Sequence, residues 1–86
     1  MDDMKDVVVT YTPEAEAVYV SLRSRRPGDV ARTQPWDESR NVDYGGGGEV
    51  LGVEFLNVSA GIDLAGLPEQ QTLTAALRSF PSLAAA

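Results

Sequence analysis

Four arginines crowd one short stretch, SLRSRRPGDVAR: Arg23, Arg25, Arg26 and Arg32 are four of the chain's seven basic residues. A guanidinium offers a planar fork of N–H donors that fits a carboxylate or phosphate, so this cluster is the candidate contact for a small-molecule or anionic ligand, or for an acidic segment of a partner protein. The plainer reading is that charged hairpin tips keep a sheet protein from aggregating. A second candidate is the carboxylate pair Asp43 and Glu54. Two carboxylates on adjacent strands serve acid/base chemistry or hold Mg²⁺ or Ca²⁺. On the polar face neither sits among apolar residues of the kind that perturb a carboxylate, and no third ligand is evident. The best metal site here is therefore oxygen-only and weak, and no metal or cofactor is expected.

The run Gly45–Gly48, inside NVDYGGGGEVLGVEF, raises the question of a phosphate cradle. Such a cradle needs a strand before the glycines and a helix N-terminus after them, so that amides and dipole converge on the anion. Here a second strand-like run follows, and neither a Gly-Lys-Ser/Thr nor a GxGxxG spacing is present. Glycines tolerate positive φ and carry no Cβ, which suits a hairpin tip. The run reads as a turn.

The chain has no His and no Cys. That removes the side chain that shuttles protons near neutral pH, thiolate nucleophiles, zinc–sulfur sites and disulfides. No catalytic constellation remains, and no enzymatic activity is expected. With 13 acidic against 7 basic residues the net charge is −6, a field that repels polyanions. Trp36, Tyr11 and Tyr19 are accordingly expected in core or interface rather than as a stacking platform, and nucleic acid is not an expected partner. Tyr19 points away from the Val18–Leu22 face and is the better interface residue. The segment MDDMKD has neither a basic n-region nor an apolar h-region, and no apolar run approaches the roughly 20 residues of a membrane span. A cytoplasmic protein without membrane contact is expected.

These residues need elements to position them. VVVTYT (7–12) is β-branched and aromatic, and AVYVSLR (17–23) alternates, with Val18, Val20 and Leu22 on one face. PEAE and SRRPGD read as turns. VARTQPW (30–36) is a weaker strand that must end at Pro35 or lie at an edge, since proline donates no ladder hydrogen bond. Pairing 41–44 with 49–55 across the glycines sets Tyr44 against Glu49 and Val42 against Leu51. Val42, Tyr44, Leu51, Val53 and Phe55 then share an apolar face, with Asn41, Asp43, Gly52 and Glu54 opposite. LNVSAGIDLAGL reads as a short helical turn and connector. PEQQTLTAALRSF (68–80) predicts the one long helix, with Pro68 and Glu69 at its start and Leu73, Ala76, Leu77 and Phe80 as its apolar stripe.

With the strands laid out, YTPEAEAVYVSL, NVDYGGGGEVLGVEFLN and IDLAGLP resemble the small bacterial DUF2283 family. Its members read roughly Tyr-Asp-x-x-x-Asp-Ala-Leu-Tyr-Ile-x-Leu and then Val-Asp-Tyr-Asp-x-x-Gly-x-Val-x-Gly-Ile-Glu-Ile-Leu. The likeness covers about 7–67 and is most specific at Val42-Asp43-Tyr44 and Gly52-Val53-Glu54. It departs at Thr12 and Glu16, where the family often has Asp, and in the glycine tip. The resemblance implies an antiparallel β-meander with a C-terminal helix, and no catalytic residue comes with it.

Residues and resemblance agree on an α+β fold: a four- to five-stranded antiparallel β-meander with a C-terminal α-helix packed on the sheet. A single domain over 1–86 is expected, its core at about 7–80 and its ends, 1–6 and 81–86, flexible. At 86 residues a core has little margin, and without disulfides or a metal the remaining route to more burial is a second copy. The expected function is a small, non-enzymatic, self-associating protein-interaction module, most simply a homodimer, with an unidentified further protein partner. The alternative is a small-molecule or anion binder that uses the Arg23–Arg32 cluster.

Overall fold

The computed structural model describes residues 6–24, 26 and 28–79. Among these residues five strands precede a single α-helix: β1 (Val8–Thr12), β2 (Ala17–Ser21), β3 (Val30–Pro35), β4 (Arg40–Gly45), β5 (Val50–Phe55) and α1 (Gln70–Arg78). All neighbouring strands are antiparallel, in the order β1-β2-β5-β4-β3. This is the α+β arrangement the alternation predicts. β3–β4–β5 forms the meander, β1–β2 forms a hairpin, and the two join where β5 lies against β2. The expectations for the ends 1–5 and 81–86, for Arg25 and for Phe80 lie outside the described residues.

Residues 22–29 are not the turn of a hairpin, as SRRPGD suggests. β2 and β3 stand three places apart in the sheet, so this segment carries the chain past the ends of β5 and β4 to the far edge. Pro35 ends β3 at that edge, where its missing N–H costs no ladder bond.

The β4–β5 register differs from the expected one. Val42 pairs with Val53 and Asp43 with Gly52, while Tyr44 pairs with Val50, so Leu51 is the extra residue of a β-bulge. The turn itself is closed by Gly45 N–H donating to Glu49 O at 2.9 Å and Gly48 N–H to Gly45 O at 3.0 Å. Gly45 continues the strand, and Gly48, at φ 88°, supplies the left-handed corner. Up to Gly52 the displacement is two residues, which keeps Val42, Val53 and Phe55 on the expected apolar face; past the bulge Val50, and not Leu51, lies opposite Tyr44 and joins the core cluster.

One apolar cluster holds the molecule together. Val18, Val20, Val42, Val53 and Phe55 from the sheet meet Leu73 and Ala76 of α1, with Val58 and Leu67 of the connector. Burying each large side chain contributes roughly 1.5–3 kcal/mol. α1 begins at Gln70 rather than at Pro68, because Glu69 sits in a left-handed conformation at φ 58° outside the helix. Glu69 O accepts the first helical hydrogen bond, from Leu73 N–H at 3.0 Å. Leu73 and Ala76 are fully buried and Leu77 partly so, which is the expected stripe as far as it is described. Among the described residues no helix is long and apolar enough to cross a membrane.

Candidate functional site

The connector and α1 cover one face of the sheet. On the opposite face, side chains from four strands form two polar groups. Asp43 on β4 accepts from the Tyr19 hydroxyl of β2 at 2.8 Å and from the Thr33 hydroxyl of β3 at 2.6 Å. Beside it Asn41 Nδ2 donates to Glu54 Oε1 at 2.9 Å, across a directly opposed β4–β5 pair. The Tyr19 ring reaches Asp43 by lying flat over Gly52 of β5, where there is no Cβ to lift it. Asp43 and Glu54 do share the polar face, but both Asp43 oxygens and Glu54 Oε1 accept hydrogen bonds within the protein. Among the described residues no group of three or more His, Cys, Asp or Glu has the arrangement of a metal site.

The two edges of the sheet differ. β3 is the guarded edge: a bulge interrupts it between Val30 and Arg32, Pro35 removes a donor, and Arg32 is charged. β1, with the sequence VVTYT, has no charge, no proline and no break in its register with β2. Two of the three exposed large hydrophobics among the described residues, Val8 at 57% and Tyr11 at 37%, lie on its five residues. Sheet edges of that kind pair readily with further strands, and natural proteins usually blunt them. Among the described residues no strand pairs with β1 on its outer side. The sequence signal for this was present, in the contrast between VVTYT and VARTQP, but it gains meaning only once both runs are known to be edges.

Of the arginine cluster, Arg23, Arg26 and Arg32 lie within the described residues. Arg23 Nε donates to Val50 O at 3.0 Å, and its Nη2 lies 3.6 Å from Glu69. Arg32 stacks on the Tyr44 ring, 4.2 Å from its centroid, and donates to Gln34 Oε1 at 3.0 Å. The backbone N–H of Arg26 donates to Asp29 Oδ2 at 2.7 Å. Tyr44 pairs with Val50, so Arg23 and Arg32 reach the same end of the sheet, each held by an internal contact. Arg25 lies outside the described residues.

A different arginine, Arg40, does the most local work, and the sequence reading passed over it. Its side chain is 12% exposed. Nη1 donates to Asp63 O at 3.1 Å and Ala65 O at 2.7 Å, while Nε and Nη2 hold Asp37 Oδ2 at 2.9 and 2.7 Å. That hydrogen bond holds the Asp37 carboxyl below its ordinary value and raises the Arg40 guanidinium above its own. Arg40 thus fastens residues 63–65 of the connector to the end of the sheet. A cleft of about 230 Å³ opens beside it, lined by Asp37, Ser39, Asn57, Ile62 and Asp63 among others. The cation in its wall is committed to main-chain carbonyls and Asp37, which leaves little to grip a bound anion.

Among the described residues no nucleophile, base and orienting group are brought together. What the geometry offers is a polar, internally satisfied sheet face and one plain edge. A family model described as a protein of unknown function (DUF2283) matches residues 8–59, which takes in all five strands and stops short of α1. No curated protein and no solved structure matches the chain.

Proposed function

This chain belongs to the DUF2283 family, for which no function is described, and from that footing we propose that it works in the cytoplasm as a small, non-enzymatic, self-associating interaction module, most simply a homodimer that presents a surface to a further protein. The observation that carries the proposal is the unguarded β1 edge opposite a guarded β3 edge. A sheet that must stay monomeric has reason to protect both edges, and this one protects only the second. Size points the same way, since a lone core of 86 residues has little surplus to leave Val8 and Tyr11 exposed to water. Anion binding by the arginines has less behind it, because Arg23 and Arg32 already satisfy internal partners.

Size-exclusion chromatography with light scattering, at micromolar concentration, tests the proposal. The expected mass is about twice the 9.2 kDa of one chain. A mass of one chain, together with a melting temperature independent of protein concentration, overturns it.

A further inference from the structure

We propose that two copies join edge to edge through β1, antiparallel about a twofold axis at Thr10, to make one continuous ten-stranded sheet. This rests on the self-association reading above and names the surface and the register it uses.

The register follows from the faces. Directly opposed residues of an antiparallel pair point to the same side of a sheet. Val9 and Tyr11 pair with Val20 and Val18, so they share the covered, apolar face. Val8, Thr10 and Thr12 pair with Ser21, Tyr19 and Ala17 and share the opposite face. A twofold pairing of β1 with itself must match like face with like. Centred on Thr10 it does so with all five residues in use: Val8 against Thr12, Val9 against Tyr11, and Thr10 against its own copy. Centres at Val9 or Tyr11 also match faces but leave part of the strand unused. The Val9–Tyr11 pairs, one on each side of the axis, are aromatic against β-branched and extend the apolar layer from one copy into the other. Such pairs and the central Thr–Thr pair are among the favourable cross-strand combinations.

Charge permits a second copy at this edge. A chain of net charge −6 repels itself wherever acidic residues face one another, and β1 is five residues with no charge at all. The nearest charges are Asp6 and Glu14, one beyond each end of the strand. In the Thr10-centred register Asp6 of one copy comes near Glu14 of the other, so the pair tightens as salt screens them. The guarded β3 edge resists a β1-to-β3 contact, which would propagate into a filament; β1 against β1 closes at two.

Absence of native cysteine makes the test clean. Opposed Cα atoms in an antiparallel pair are about 4.5–5.5 Å apart, inside the span a disulfide bridges. Mild copper-phenanthroline oxidation should therefore convert Thr10→Cys almost wholly to a covalent dimer. Val8→Cys should not link, because its two copies stand four residues out of register, roughly 13 Å apart. Ala31→Cys, on β3, should not link either. Each variant is first checked for wild-type circular dichroism and mass by light scattering. A wild-type dimer in which Thr10→Cys fails to link, or in which Ala31→Cys links instead, overturns the β1 register and leaves self-association standing. A wild-type monomer overturns both. A monomer that becomes a Thr10-linked dimer only after residues 80–86 are deleted assigns the edge to the chain's own C-terminal residues and overturns the proposal as well.

Discussion

The hydroxyl of Tyr19, on β2, donates to Asp43, on β4, at 2.8 Å, and it crosses the full width of β5 to do so. The crossing is possible because the β5 residue beneath the ring is Gly52. Three strands thus contribute one residue each to a single contact. Asp43 and Gly52 lie in the two runs most specific to the family resemblance, and the contact gives those positions a structural reason.

Substituting Gly52→Ala should therefore be costly in the wild-type background. An added Cβ meets Tyr19 Cζ at 2.5 Å and Cε2 at 2.8 Å. Overpacking of this kind costs about 1–3 kcal/mol. In a Tyr19→Ala background the obstacle is gone, and the same substitution should cost close to nothing. Urea denaturation of the four proteins measures the coupling. Strictly additive losses contradict the account of Gly52.

Acid should act in part through Asp37. Its carboxyl is held below the ordinary 3.8 by the Arg40 hydrogen bond, so its contribution is complete above that value and is lost as pH falls through the lowered one. The stability difference between wild type and Asp37→Asn should stay level above about pH 5 and shrink toward zero below the unfolded value. Thermal melts across pH 2–7 measure it. A difference that widens on acidification has the wrong sign for this pair.

The glycine turn should be tolerant at one position and not at another. Gly46 faces open space and is not among the glycines at positive φ, so Gly46→Ala is expected to be neutral or stabilising by up to about 1 kcal/mol. Gly48 is at φ 88°, and Gly48→Ala should cost about 1–2 kcal/mol for the left-handed strain. Equal effects at both positions, read from denaturant midpoints, are incompatible with the turn described.

Faces were legible in the sequence where registers were not. Alternation put Val18, Val20, Val42, Val53 and Phe55 on the buried side, because a period of two survives any displacement by two residues. The bulge at Leu51 left no trace, since Val50 and Leu51 are both apolar and either can be the extra residue. Four glycines in a row likewise hide where β4 ends. The helix start was read two residues early because Pro68 and Glu69 resemble a helix opening, while the left-handed backbone at Glu69 is set by how the connector docks. The internal partners of Arg23 and Arg32 were illegible for a third reason: local spacing says nothing about a segment that passes two strands before rejoining the sheet. Arg40 could have been suspected from Asp37 three residues earlier, but its main-chain acceptors at 63 and 65 are a tertiary fact.

The seam between β2 and β5 also governs how the sheet is built. Within the β1–β2 hairpin and the β3–β4–β5 meander, partners are close along the chain, and units of that size form within microseconds. Val20 and Val53, by contrast, meet across 33 positions. Closing that distance costs loop entropy before any contact offsets it, so the search concentrates at this one seam. On contact order, the slowest pairing is the one in which these two pieces meet. Until they do, both β2 and β5 present an open edge to solvent, and the nascent protein is at its most adhesive.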